Sequence, residues 1–382
     1  MNILFITKEF SHKSLNKTGG IGRFYSEISE ELVSKNHKVF VLGYNRIKFN
    51  STENGISVYF FKKINFNSSL ILLSFFVNRF LLIIHFLLFI NRNKNKIDVI
   101  EMDDPITSYF ISFFYKKIPK VIRQHGMPSI LSVMYGNKIN KFYYFFEKRA
   151  HYRANKIIAV SKYVKQLILD LYGEDLTIDV VYNGIHLTKE ETENIKTNKR
   201  TLLYIAALSE QKGYLELVEI FNEINRKDDS VNLIIIGRES VLKFNSLKFS
   251  ETALLSVKYI GYLDYSELKK HYESSNVFLN FTRGETFGLT TIEAMSFKLP
   301  VIISNVGVSY ELVENGISGF IVDVEEIDDV SNLILRILDD TLLQKKMGES
   351  GKEFVRKTFS NKILGEKTLK SYKNVQNENG SK

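Results

Sequence analysis

Short apolar runs alternate along the 382-residue chain with segments whose apolar residues recur every three or four positions. Asn2–Thr7, Lys38–Gly43, Ile56–Phe61, Ile97–Glu101, Val121–His125 and Lys156–Val160 each read as a short strand. Between the first two, a helix places Phe24, Ile28 and Leu32 on one face and glutamates on the other. A polar stretch without apolar periodicity, Thr188–Lys199, then reads as a linker. After it the rhythm restarts, with strands at Leu202–Ala206, Leu233–Gly237, Val257–Gly261, Val277–Leu279 and Val301–Ser304. Helices are expected over Leu215–Ile224, Asp264–Glu273, from Leu289 to Phe297, through Asp328–Thr358, and finally around Asn361–Val375. This alternation in both halves predicts an α/β protein of two doubly wound parallel-sheet domains.

One stretch breaks the pattern. Leu70–Ile90 is apolar over about the length of a membrane span. As a transmembrane helix it would bury Asn78, Arg79 and His85, and a central Arg alone costs roughly 2.5–3.5 kcal/mol. A span here would also put strands of one sheet on opposite sides of a bilayer. A helix packed on the sheet is the ordinary alternative. A third reading keeps that helix in the domain with an apolar outer face that touches membrane. Ser74, Asn78 and His85 fall within about 40° on a helical wheel, and Arg92, Lys94 and Lys96 follow, so the expectation is a sheet-packed helix that also contacts membrane.

Charge sharpens the contrast between the halves. Residues 1–190 carry 27 Lys and Arg against 15 Asp and Glu, a net of +12, whereas the remainder carries 25 against 28, a net of −3. A basic first half suggests an anionic partner, either a membrane surface, a phosphorylated lipid or a nucleic acid. No helix-turn-helix, zinc-finger or RNA-binding signature accompanies the charge, so nucleic acid is not expected. Lys138–Arg153 interleaves basic residues with Phe142, Tyr143, Tyr144, Phe145 and Phe146; an aromatic core face and a membrane-facing one fit it equally. The absence of cysteine excludes disulfides, a thiolate nucleophile and a Cys-based metal site, and fits a reducing cytoplasm. MNILFITKEF reads as a strand start and lacks the basic leader and long apolar core of a signal peptide.

Candidate chemistry centres on Phe278–Pro300. A strand end leads into Arg283-Gly284-Glu285-Thr286-Phe287-Gly288, a loop with two glycines, and then into a helix from Leu289. Glu285 lies in the loop and Glu293 about a turn inside the helix, whose N-terminus offers backbone N–H groups and a positive dipole end to a phosphate. Carboxylates beside an anion site suit a sugar nucleotide. Taken alone, two glutamates at this spacing are common and read equally as solvated residues. Gly19 and Gly20 lie between a strand and a helix, the layout of a phosphate-binding turn, and glycines serve ordinary turns as often. His125 ends a strand and precedes Gly126, where open α/β sheets place ligands.

Glu285-x-Phe287-Gly288 followed by Glu293-Ala294-Met295 resembles the E-x7-E signature of retaining glycosyltransferases of family 4. Those enzymes have the GT-B fold, in which two Rossmann-like domains face a cleft. Leu208-x3-Lys212-Gly213 is similar to the family's phosphate-binding loop, and Gly19-Gly20 and His125-Gly126 match its Gly-Gly and His-Gly pairs. The likeness covers nearly the whole chain and is strongest from Asn276 to Val322. It implies that residues 1–187, with 361–382 as a crossing C-terminal helix, take the acceptor, while 200–360 bind the nucleotide-sugar donor. Lys212 and the Gly288, Leu289 and Thr290 amides would hold the diphosphate, with Phe287 and Arg238 beside the donor. Glu293 would hold the ribose, Glu285 the transferred sugar, and His125 that sugar from the opposite side; Gly19 and Gly20 would approach the donor phosphates and the acceptor. Ala207 stands where the family usually has Arg, Ile236-Gly237-Arg238-Glu239 departs from its Gly-x-Gly, and His186 replaces an acid after Asn183-Gly184-Ile185. Arg238 and Arg283 are candidates to replace the missing cation, and Arg123 to hold an anionic acceptor.

The resemblance implies a metal-independent transferase with no cofactor beyond its donor substrate, and the chain has no Asp-x-Asp pair for a metal-bound diphosphate. A saccharide or polyprenyl-linked saccharide acceptor is expected, as in capsule, O-antigen or exopolysaccharide synthesis, in the cytoplasm or peripherally at the inner face of its membrane. Rival readings are a GT-B epimerase, a non-catalytic partner subunit suggested by Ala207, and a nucleic-acid-binding protein suggested by charge alone.

Overall fold

The structure, a computed structural model, describes residues 1–15, 19–66, 70–93, 96–187 and 200–380. The expected linker Thr188–Lys199 and Lys94 of the basic cluster lie outside the described residues. Two compact units form: Met1–His186 with Asn361–Lys382, and Leu187–Ser360.

The first unit is built on eight strands: β1 (Asn2–Ile6), β2 (Lys38–Asn45), β3 (Phe49–Glu53), β4 (Ile56–Lys62), β5 (Val99–Met102), β6 (Lys120–Gln124), β7 (Lys156–Ala159) and β8 (Ile178–Val180). Their order is β3-β4-β2-β1-β5-β6-β7-β8, so the order reverses between β1 and β5, with β4 lying inside the edge strand β3. All neighbours are parallel except β3, which pairs antiparallel with β4 at the edge. That strand, FNSTE, carries no apolar alternation and escaped the pattern reading. A polar edge strand needs no apolar face and discourages edge-to-edge pairing. Around the sheet lie α1 (Gly20–Ser34), α2 (Ile71–Arg92), α3 (Pro105–Phe114), α4 (Pro128–Met134), α5 (Lys141–Arg153) and α6 (Lys162–Tyr172).

The second unit has six parallel strands: β9 (Thr201–Ile205), β10 (Asn232–Ile236), β11 (Val257–Gly261), β12 (Val277–Asn280), β13 (Val301–Ser304) and β14 (Gly319–Val322). Their order, β11-β10-β9-β12-β13-β14, reverses between β9 and β12. Helices α7 (Tyr214–Lys227), α8 (Glu251–Leu255), α9 (Tyr265–Ser274), α10 (Leu289–Ser296), α11 (Ser309–Leu312), α12 (Ile327–Asp339) and α13 (Thr341–Thr358) complete it. The chain then returns to the first unit with α14 (Asn361–Gly380).

Helix α2 is the described helix long and apolar enough to cross a membrane, yet it packs on the sheet. Leu82, Phe86 and Ile90 join Leu4, Ile6 and Leu42 in one core cluster. Ser74 and Asn78 of its polar strip are consumed locally, whereas His85 stays exposed and stacks on Phe61 at 4.3 Å. Asn78 brackets the Ile64 backbone, donating to its carbonyl and accepting from its N–H at 2.7 and 2.8 Å, and Ser74 Oγ accepts from the Phe66 N–H. Arg79 reaches the Asp104 carboxylate at 2.8 Å.

Arg123 corrects the sequence reading. It sits mid-strand on β6, fully buried, and its guanidinium donates two hydrogen bonds to Glu101 at 2.8 and 3.0 Å and one to Thr368. With both partners desolvated, this is an internal ion pair and does not face an acceptor.

Candidate active site

In open α/β sheets, ligands bind beyond the carboxyl ends of the strands where the strand order reverses. The second unit places its expected residues there. β9 and β12 are adjacent parallel strands, and the loops leaving them, 206–213 and 281–288, are stitched together. Thr282 Oγ1 and the Arg283 N–H both donate to the Gln211 carbonyl at 3.0 Å. Tyr204 Oη, rooted in the core, donates to the Lys212 carbonyl and accepts from the Phe281 N–H. Gly213 is required here: its φ is +69°, and a Cβ would lie 1.8 Å from the Phe281 carbonyl oxygen.

This stitching brings Lys212 onto Glu285, Nζ to Oε2 at 2.8 Å. The other carboxylate oxygen accepts from the N–H groups of Thr286 and Phe287. Burial would push the Glu285 carboxyl up, but the Lys212 charge and these donors hold it below the ordinary range. Gly288 then turns the chain with φ +91° into α10, whose N-terminus carries no side-chain cap. The first helical hydrogen bonds run from the Thr291 and Ile292 N–H groups to the Gly288 carbonyl, which leaves the Leu289 and Thr290 amides at the exposed dipole end. Glu293, one turn on, is buried and accepts from Tyr272 Oη at 2.9 Å. Phe287 is a wedge: its ring is buried against Phe359, so only its backbone lines the loop.

The two candidate replacements for the missing cation differ. Arg283 is taken by Glu216, at 2.6–2.7 Å. Arg238 is exposed, and its carbonyl accepts from the Leu208 N–H at 2.9 Å, next to Ala207.

The first unit has its own reversal point, at the carboxyl ends of β1 and β5. Thr7 Oγ1 donates to Asp103 at 2.8 Å, and Glu9 accepts from the Gly19 N–H at 3.1 Å, which ties the exposed Gly19-Gly20 turn to this end of the sheet. Burial raises the Asp103 carboxyl to about 7, against the lowering effects of Thr7 and Lys8. Neighbouring Asp104 is paired with both Lys8 and Arg79. Despite burial, that pairing keeps its carboxyl far below the ordinary range. His125 follows β6, with its ring edge-on to Phe24 at 4.6 Å, and burial with the Arg123 charge pushes its imidazole well below the usual value. It is therefore neutral at physiological pH. Thr7, Asp103 and Tyr272 were not signalled in the sequence, because their partners lie 96 and 21 residues away. No group of three or more His, Asp or Glu side chains able to hold a metal ion occurs among the described residues.

Two doubly wound α/β units, each with a strand-order reversal, are the architecture of the GT-B class. The glycosyltransferase family 4 model matches residues 18–189 and the glycosyl transferases group 1 model residues 187–354, so the chain belongs to family 4 of the glycosyltransferases. It is 28% identical over 260 residues to the capsular polysaccharide biosynthesis glycosyltransferase CapM of Staphylococcus aureus, covering 63% of this chain and 67% of that one. It is 25% identical over 249 residues to the GDP-mannose:cellobiosyl-diphosphopolyprenol alpha-mannosyltransferase of Xanthomonas oryzae pv. oryzae, covering 62% and 65%. The fold is that of sucrose-phosphate synthase from Thermosynechococcus elongatus, with a TM-score of 0.79 over 98% of both chains at 17% identity.

Proposed function

We propose that this glycosyltransferase is retaining and metal-independent, and moves a sugar from a nucleotide diphosphate to a saccharide on a lipid carrier during surface polysaccharide synthesis. The carrying observation is the Lys212–Glu285 pair beside the uncapped N-terminus of α10. Lys212 and the Leu289 and Thr290 amides stabilise the charge that grows on the departing diphosphate. Glu285, kept ionised, accepts hydrogen bonds from hydroxyls of the transferred sugar, and Glu293 does the same for the ribose. His125, neutral, and the Gly19-Gly20 backbone are the first unit's candidates for contacting a substrate. The acceptor hydroxyl attacks the anomeric carbon on the face the diphosphate leaves, and its proton passes to the leaving phosphate oxygen, which preserves the anomeric configuration. Arg238 supplies the cation absent at Ala207.

Names of relatives that include a capsule enzyme and a diphosphopolyprenol mannosyltransferase support the acceptor class. The basic first unit supports a peripheral position at the inner face of the cytoplasmic membrane. A thermal-shift screen of UDP-, GDP-, ADP- and dTDP-sugars on wild type and Glu293→Ala tests the donor half: one nucleotide class should stabilise wild type, by about 2.7 kcal/mol at about 100 times its Kd, and fail on the variant. No stabilisation by any class would favour a non-catalytic partner subunit, the reading Ala207 supports.

A further inference from the structure

We infer that the outer faces of α2, α3 and α5 form one docking surface for an anionic lipid bilayer. This deepens the peripheral-membrane reading above by naming the surface that would serve it.

On α2, Leu73, Phe76, Phe80, Ile84 and Leu87 recur at spacings of three and four and are 36–63% exposed, while the opposite face fills the core. A helix lying on a soluble sheet ordinarily turns polar residues outward. Here the outward face is apolar from Leu73 to Leu88 but for His85, with Asn91 and Arg92 exposed at the helix end, and it does not stop at the helix. Phe76 meets Phe142 of α5 edge-on at 5.8 Å, Phe142 meets Phe146 at 5.0 Å, Phe146 meets Phe110 of α3 at 5.8 Å, and Phe110 stacks on Phe114 at 6.3 Å. The ribbon of rings ends at Phe113 and Phe114, 49% and 61% exposed.

Charge selects the occupant. Lys116 and Lys117 follow Phe114 after Tyr115 and are exposed, as are Lys138, just before α5, and Lys141 at its start. Arg149 lies over the Phe145 ring at 3.6 Å and Arg153 over Tyr109 at 4.5 Å, each presenting a cation beside an aromatic face. No acidic residue occurs between Glu53 and Asp98, and the single one between positions 105 and 169 is Glu147. That residue is fully buried and accepts from Tyr172 Oη at 2.6 Å. Apolar rings bordered by lysines and arginines, with no exposed carboxylate from these helices, match the acyl and phosphate layers of an anionic leaflet. An acidic protein surface would meet the same border but gives no binding to protein-free vesicles. The Arg79–Asp104 pair fastens α2 to the carboxyl end of β5, so the docked face is joined to the reversal point that carries Asp103.

Co-sedimentation of the full chain with vesicles of phosphatidylcholine, alone and mixed with phosphatidylglycerol, tests this without donor or acceptor. Wild type should partition more than about 25-fold more strongly into the anionic vesicles, since two lysines alone contribute that much. Lys116→Gln/Lys117→Gln should weaken that partition by roughly 25-fold, at about fivefold per charge, and leave the neutral vesicles unchanged. Phe80→Ser/Leu87→Ser should weaken binding to both, with an unchanged melting temperature. Equal or absent binding of wild type to the two vesicle types overturns the proposal. So does a dimer seen by light scattering that Phe80→Ser/Leu87→Ser dissolves, since a second copy would then cover the face. The nucleotide-sugar thermal shift, read without lipid, reports on the transferase reading separately.

Discussion

Glu285 is an acid whose charge is fixed by its neighbours, and that makes its behaviour on substitution calculable in sign. Its carboxyl is depressed in the folded state by Lys212, so the pair stabilises above the unfolded carboxyl value and loses its effect as pH falls through the folded one. Lys212→Met should therefore cost roughly 1–3 kcal/mol near neutral pH, with the difference closing in acid, as read by urea unfolding across pH. The same variant should lower kcat by about 100-fold or more through weaker leaving-group stabilisation. Asp103 has the opposite sign. Its folded value of about 7 lies above the ordinary 3.8, so its ionisation works against folding increasingly between those values and fully above them. Asp103→Asn should be neutral near pH 4 and gain roughly 1–3 kcal/mol over wild type near pH 8, with Lys8, Asp104 and Glu9 unchanged. Equal pH slopes for the two proteins would refute the raised carboxyl.

At the scale of elements, the strand–loop–helix rhythm carried most of the information. Two parallel sheets were legible because a buried parallel strand is a continuous apolar run bounded by polar turns. β3 was not, since an edge strand of Asn, Ser, Thr and Glu has no apolar face to betray it. The turn into α10 was legible from Gly288, but the bracing of its neighbour loop was not: Tyr204 is one aromatic in an apolar strand until folding sets it between Lys212 and Phe281. Likewise Arg123 reads as an available cation in the sequence and becomes a sealed ion pair only because β5 and β6 adjoin. Backbone conformation makes the α10 turn testable. At Gly288, φ is +91° and a Cβ would lie 2.8 Å from Leu312 Cδ1. Gly288→Ala should cost roughly 1–3 kcal/mol by chemical denaturation and, by displacing the Leu289 and Thr290 amides, shrink the donor-induced thermal shift. A full donor shift in a destabilised variant would remove those amides from the anion site.

For the whole molecule, the last helix is fastened to the first half by a buried polar cluster and by its share of that half's apolar core. Chain order puts α14 directly after the second unit, but Tyr372 Oη donates to Glu101 at 2.5 Å, and Thr368 accepts from Arg123, both residues of the first sheet. Leu364, Leu369 and Val375 share that unit's core cluster with strands β1, β2 and β4. Glu101 is thus the acceptor for both an arginine and a tyrosine in a fully buried site, where removing one partner leaves an uncompensated charge. Arg123→Met should destabilise the first unit by roughly 3–5 kcal/mol, seen as an earlier unfolding transition by calorimetry. Adding Glu101→Gln should restore much of that loss, because the amide oxygen still accepts from Tyr372 and no charge remains buried. On the function proposed above, the donor binds the second unit, so the donor-induced shift should survive both changes. If Arg123→Met alone were harmless, or if the second substitution deepened the loss, the cluster would not be what fastens the returning helix to the first sheet.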